Sequence, residues 1–202
     1  MTISLKPITG VILSGGKSLR MGEDKAFIRI EGTPIIEQIL LLFQELFEEV
    51  IIITSQKDHY QYLDVNVYED LIPNLGALGG LYTGIARSSF PYSFVVACDM
   101  PFLNRAVIEY LTERTGDFDV IIPKTEDGLQ PLHALYSKGC LKAINEILKE
   151  KKNRIIDIFP LVRVNIVEEK GFHSLDPKRL SFINLNTPED LLIFRKKGMT
   201  DV

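Results

Sequence analysis

A chain of 202 residues with 25% charged and 46% apolar side chains suits one soluble globular domain that can bury a sizeable core. Its formal net charge of −4 speaks against broad electrostatic attachment to DNA, RNA or an anionic membrane, so any grip on phosphate has to be local. Two cysteines, Cys98 and Cys140, are too few for a disulfide scaffold or a four-thiolate zinc site, and polar residues interrupt every apolar run before it reaches membrane-spanning length.

The opening Met1-Thr2-Ile3-Ser4-Leu5-Lys6 lacks the apolar stretch and small-residue cleavage site of a secretory signal, so the cytoplasm is the expected compartment. Ile8-Thr9-Gly10-Val11-Ile12 is an apolar run of strand length. It feeds into Leu13-Ser14-Gly15-Gly16-Lys17-Ser18-Leu19-Arg20-Met21-Gly22-Glu23-Asp24-Lys25, which holds three glycines and three cations in thirteen residues. Glycines let backbone N–H groups approach a ligand, and successive N–H groups make a concave anion site. Lys17, Arg20 and Lys25 add fixed positive charge. Two standard phosphate motifs are excluded. A Walker A sequence needs glycine five positions before Gly16, where Val11 stands; in a G-x-G-x-x-G fingerprint beginning at Gly15, Lys17 occupies the second glycine.

Strand-like and helix-like segments then alternate, which favours a mostly parallel sheet with helices on both faces. Ala26 to Ile30 reads as a short extended piece closed by a turn at Glu31-Gly32. Thr33 and Pro34 read as N-cap and first residue of a helix that carries Ile35, Ile39, Leu42, Phe43 and Leu46 through to Phe47. Val50 to Thr54 and Val65 to Tyr68 are strand candidates. Leu75-Gly76-Ala77-Leu78-Gly79-Gly80 is a second glycine-rich segment, opening a helix towards Ser88. Ser93 to Cys98 is a strand that stops at Asp99, and Asn104 can cap a helix bearing Val107, Ile108 and Leu111. Strands over Asp119–Pro123, Leu132–Tyr136 and Val162–Val167 and a helix through Leu141, Ile144, Ile147 and Leu148 complete the second half. Asn184 to Asn186 reads as strand leading into Thr187-Pro188-Glu189-Asp190, a helix start with a cap, an early proline and acidic residues at the positive dipole end. The whole is expected to be one domain: a nucleotide-binding half over about residues 1–103 and an acceptor half over about 104–202.

Two carboxylates stand at expected strand ends. Asp99 follows a strand directly, at the edge of an open α/β sheet where ligands bind, and one carboxylate with substrate phosphates and water suffices for magnesium. The plainer alternative for Asp99 is a helix or turn cap. Asp70 ends the strand before the second glycine segment, and it either accepts hydrogen bonds from a nucleoside or caps the turn before Pro73. His59, His133 and His173 share no metal-ligand spacing, and no serine sits in a G-x-S-x-G elbow.

The 13–25 segment resembles the L-A-G-G-x-S-x-R-M-G-x-D-K signature of the molybdenum cofactor guanylyltransferases, a nucleotidyltransferase family, with Ser14 in place of alanine as the one change at a specified position. Cys98-Asp99-Met100-Pro101-Phe102-Leu103 is similar to that family's C-D-x-P-x-L segment, and Asn184-Leu185-Asn186-Thr187-Pro188-Glu189-Asp190-Leu191 to its N-x-N-T-P-E-D-L ending. The resemblance implies a three-layer α/β/α Rossmann-like nucleotidyltransferase fold with a mostly parallel sheet. It implies GMP transfer from GTP to the molybdopterin form of molybdenum cofactor, with release of pyrophosphate. Leu13, Ser14, Gly15, Gly16, Lys25, Asp70, Gly79 and Asp99 would bind the nucleotide; Arg20, Lys25 and Asp99 would be catalytic; Asp99 would hold Mg²⁺; Asn184 and Asn186 would lie near the pterin. No nucleic acid or membrane enters this reading, though transient contact with cofactor-biosynthesis or molybdoenzyme partners does. Three departures from the family pattern stand out: Ala77 and Gly79 replace the proline and alanine of a P-L-A-G-type loop, Thr54 stands where some members carry a base-contacting asparagine, and Gln130 replaces a histidine before Pro131. The rivals are a cytidylyl- or sugar-phosphate nucleotidyltransferase and a non-catalytic nucleotide-binding protein on the same scaffold.

Overall fold

The computed structural model describes residues 6–15, 25–185 and 190. Ten strands and four helices are described: β1 (Lys6–Leu13), β2 (Arg29–Ile30), β3 (Thr33–Pro34), α1 (Ile35–Leu46), β4 (Phe47–Ile53), β5 (Asn66–Tyr68), α2 (Ala77–Arg87), β6 (Tyr92–Ala97), α3 (Arg105–Thr112), β7 (Val120–Thr125), β8 (Gly128–Leu129), β9 (His133–Ser137), α4 (Cys140–Lys149) and β10 (Val164–Glu168). The main sheet has the order β10-β7-β9-β6-β1-β4-β5, with β8 paired to β7. Parallel pairing joins β5, β4, β1 and β6 and also β10 to β7. β9 is inserted antiparallel between β6 and β7. The mostly parallel sheet expected from the alternation is therefore present, with one reversed strand in its middle.

Period-two alternation sorts the core into two layers. From β1, Ile8 and Ile12 face the side covered by α1 and α3, together with Ile52, Phe94, Val96, Ile121 and Leu135 from the neighbouring strands. Val11 and Leu13 face the other side, where Leu81 and Ile85 of α2 and Ile144 and Ile147 of α4 lie. Close approach on both faces needs glycine. A Cβ at Gly10 would come within 2.5 Å of the Phe43 ring, and one at Gly84 within 2.6 Å of Val11 Cγ1. These two contacts set how near α1 and α2 sit to β1.

Asn104 caps α3 as expected, its Oδ1 accepting from the amides of Ala106 at 2.8 Å and Val107 at 3.3 Å. The N-terminus of α1 differs from the expectation. Thr33 and Pro34 pair with Ile30 and Arg29 as a two-stranded hairpin, and the helix begins at Ile35 without a side-chain cap. The hairpin wins because both loop residues, Glu31 (φ 52°) and Gly32 (φ 88°), take the positive φ that two-residue hairpin loops favour. A second difference concerns Asn184, which lies exposed in irregular chain and not in a strand, so the disfavour of asparagine for strands does not apply to it. The helix expected from Thr187 falls on residues outside those described, Asp190 excepted.

Candidate active site

The strand order reverses at β1. Its chain continues through α1 to β4 on one side, whereas β6, on its other side, is reached through β5 and α2 and leads on to α3. Open α/β sheets bind ligands in the crevice outside the carboxyl ends of the strands at such a switch point. The ends of β1, β4, β5 and β6 lie along this edge, tied by backbone bonds from Ser14 N to Ile53 O (2.8 Å), Thr54 N to Tyr68 O (2.9 Å) and Cys98 N to Leu13 O (3.0 Å). Because β9 reverses direction, β7 also ends there, at Thr125.

Lys25 and Asp99, seventy-four positions apart in the chain, meet across this crevice, with Nζ 3.8 Å from Oδ2. Both side chains are about four-fifths withdrawn from solvent, at 20% and 22% exposure. Burial pushes the Asp99 carboxyl above the usual aspartate range, and the Lys25 charge pulls against that rise. The Asp99 carbonyl is also held, accepting from Leu185 N at 2.8 Å. Among the described residues no group of three or more His, Cys, Asp and Glu side chains is placed to hold a metal. A single withdrawn carboxylate is still a fitting donor for Mg²⁺, which takes one or two carboxylates and draws its other oxygens from phosphate and water.

Asp70 follows β5 on the same edge. Its Oδ1 is buried without a hydrogen-bond partner among the described residues, and burial raises its carboxyl above the ordinary range. A buried acceptor left unpaired costs free energy unless something supplies a donor. Asp70 opens onto a cavity of about 500 Å³ lined also by Lys57, Tyr68, Glu69, Leu71 and Arg87. Gly79, in the first turn of α2, lies under the returning loop: a Cβ there would be 2.8 Å from Ile72 O and 3.2 Å from Leu75 Cβ. Thr83 ties the same loop, its hydroxyl accepting from Leu71 N and donating to Gly79 O, both at 2.9 Å.

At the loop after β1, Leu13 and Ser14 are buried and Gly15 is exposed. Among the described residues no atom lies within 4 Å of a Cβ built on Gly15, so packing against them does not demand glycine there. The Ser14 hydroxyl hydrogen-bonds the Tyr60 hydroxyl at 2.5 Å. Gly16, Arg20 and Asn186, also expected in the site, lie outside the described residues.

The departures from the family pattern have local explanations. The Thr54 hydroxyl accepts from Gln56 N at 3.1 Å, which engages it in the turn after β4. Gln130 Nε2 donates to Thr125 Oγ1 at 3.0 Å and so braces the turn between β7 and β8. His133 is fully buried with its ring 5.4 Å from that of Phe94 and 4.8 Å from that of Phe182, and burial drives its pKa down to about 3. It is a neutral core residue. Tyr60 is what sequence reasoning missed, since a tyrosine between Lys57 and Gln61 carries no local motif; its one signal was an unexplained serine at position 14.

Residues 10–161 match the family model described as the MobA-like NTP transferase domain. The chain is 41% identical over 184 residues to a probable molybdenum cofactor guanylyltransferase of Pelotomaculum thermopropionicum, covering 91% of this chain and 90% of the relative. It is 33% identical over 186 residues to the molybdenum cofactor guanylyltransferase of Desulfosudis oleivorans, covering 91% and 92%. Its fold superposes on the crystal structure of molybdopterin-guanine dinucleotide biosynthesis protein A from Archaeoglobus fulgidus with a TM-score of 0.79 at 23% identity, covering 95% of this chain and 98% of that one. With a crevice at the switch point, a cation and a carboxylate facing each other across it, and relatives of this identity along nearly its whole length, the chain belongs to the molybdenum cofactor guanylyltransferases of the MobA-like NTP transferase family.

Proposed function

We propose that this protein transfers GMP from GTP to the molybdopterin form of molybdenum cofactor, giving the guanine dinucleotide form and pyrophosphate. The observation that carries the reading is the meeting of Lys25 and Asp99 at 3.8 Å, which brings a cation from the glycine-rich segment to a carboxylate at the end of β6. The nucleotide is assigned to the half spanning about residues 1–103 and the acceptor to that spanning about 104–202.

In the reaction, a terminal phosphate oxygen of the acceptor bonds to the α-phosphorus of GTP in line, the bond from that phosphorus to the β-phosphate oxygen breaks, and pyrophosphate departs with the electron pair. The nucleophile is already an anion, so no protein base is required. Catalysis then rests on placement and on neutralising charge as it builds. Lys25 stabilises the departing pyrophosphate, and Arg20, on sequence grounds, adds a second cation. The open side of Gly15 lets backbone N–H groups come close to phosphate oxygens. Asp70, which borders the cavity after β5 with Gly79 beside it, is assigned to donors on the nucleoside, and Leu13 is assigned to the same nucleotide. Asp99 would hold Mg²⁺, which supplies charge neutralisation across the phosphates. Asn184 and Asn186 are assigned to the acceptor. The reading places the protein in the cytoplasm, with transient contacts to enzymes that supply or receive the cofactor. Among the described residues no helix is long and apolar enough to cross a membrane.

Pyrophosphate release measured with each nucleoside triphosphate and molybdopterin tests this directly. GTP should be turned over in preference to CTP, ATP and UTP. Lys25→Ala and Asp99→Ala should each lower the rate on the order of a hundredfold or more in a protein that still melts cooperatively. Turnover of CTP above GTP would reverse the base assignment, and a fully active Asp99→Ala variant would remove the metal assignment.

A further inference from the structure

The serine that departs from the family signature has a buried partner, and that partner also touches the chain next to Lys25. Ser14 ends the stretch leaving β1 and is 4% exposed; Tyr60 is fully buried. Their hydroxyls share a hydrogen bond of 2.5 Å. On its other side the Tyr60 ring packs against Phe27, two residues beyond Lys25, with centroids 5.2 Å apart, and Phe27 also meets His59 edge-on at 6.2 Å. Lys25, Ala26 and Phe27 form one short 3₁₀ turn, so a ring that fixes Phe27 also fixes the backbone from which the Lys25 side chain springs.

We infer that Tyr60 is a positioning residue for the nucleotide site, holding the Ser14 end of the phosphate segment through its hydroxyl and the Lys25 turn through its ring. It acts through Ser14 and Lys25, and this assignment rests on the proposed GTP reaction. Tyr60 reaches the site from the turn Lys57–Tyr60 between β4 and β5, outside the glycine-rich segment. The hydroxyl half of the clamp belongs to chains with serine at this position, because an alanine there has no oxygen to offer. A hydrogen bond between two withdrawn hydroxyls is directional, so it fixes the direction in which the chain leaves β1 more tightly than apolar packing would.

Tyr60→Phe keeps the ring and removes only the hydroxyl. Measured well below its melting midpoint, this variant should show a KM for GTP raised about tenfold, the order expected for loss of one positioning hydrogen bond. A merely structural role would lower the melting temperature or the active fraction and leave KM where it was. Ser14→Ala should raise KM by a similar factor, and adding it to Tyr60→Phe should raise KM no further, since both remove the same contact. If Tyr60→Phe does not fold, Ser14→Ala decides alone, by whether its KM rises. An unchanged KM, or single effects that multiply in the double variant, would overturn the clamp while an active parent protein leaves the transferase reading standing. A parent protein that releases no pyrophosphate from GTP would overturn both.

Discussion

At the scale of single residues, the site is assembled from groups that fold at a cost. Asp70 shows this most simply: burial alone raises its carboxyl, and one of its oxygens has no partner among the described residues. A folded pKa above the unfolded one means that the folded chain binds more protons in the interval between the two. Stability therefore falls as pH rises through that interval, and the full penalty is present at neutral pH. Asp70→Asn should accordingly melt higher than the parent at pH 7, with the difference shrinking as pH falls into the ordinary carboxylate range and Asp70 becomes protonated in both states. The same variant should bind GTP more weakly. A melting difference that does not change with pH would contradict the charge argument. Opposite signs in stability and binding are the mark of a residue kept for a ligand. Residue by residue, the candidacy of Lys25 and Asp99 was legible because strand-end chemistry is written locally, and the structure brings these two together at 3.8 Å. Tyr60 was not legible: its meaning lies in a hydroxyl forty-six positions away in the chain.

At the scale of elements, local patterning placed nearly every strand and helix, and it missed where direction or pairing is settled by distant chain. His133–Ser137 reads as a strand in either direction; only its register against Tyr92–Val96 and Val120–Ile121 makes it antiparallel. Thr33-Pro34 has good cap chemistry, yet the tight turn before it turns the pair into a strand. α2 shows the opposite case, where composition foretells packing. Gly80 and Gly84 stand four apart on the helix face over β1, with Leu13 and Val11 beneath them. Gly84→Ala should be destabilised by about 1–3 kcal/mol, despite alanine's better helix propensity, because the new methyl would sit 2.6 Å from Val11 Cγ1 in a filled core. Denaturant unfolding measures this, and a variant more stable than the parent would show that α2 can lift away from β1 without loss.

At the scale of the whole molecule, one sheet runs through the point near residue 103 where the proposed nucleotide and acceptor halves would meet. β6 precedes that point, β9 and β7 follow it, and the order β7-β9-β6-β1 has no break. The chain after β10 then returns to the site edge. Phe172 and Leu180 are buried, the Asp176 carboxylate accepts from Leu180 N and Ser181 N, and Ser181 Oγ accepts from Asn104 N at the start of α3. A chain ended at Lys170 should therefore lose GTP binding along with cooperative melting, although every residue assigned to the nucleotide is still present. Retention of GTP affinity by that shortened chain, read by calorimetric titration, would show that the first half stands alone.

The bond from the Leu185 amide to the Asp99 carbonyl carries this dependence into the protein's own synthesis. During translation the early residues leave the ribosome first and begin to organise as they emerge. Here the aspartate that faces Lys25 is buttressed by an amide that lies eighty-six positions further along the chain. A nascent polypeptide can thus display its whole glycine-rich signature while the carbonyl of Asp99 still waits for its donor. Only once synthesis has passed Leu185 can that bond close and the backbone at the end of β6 take its finished form.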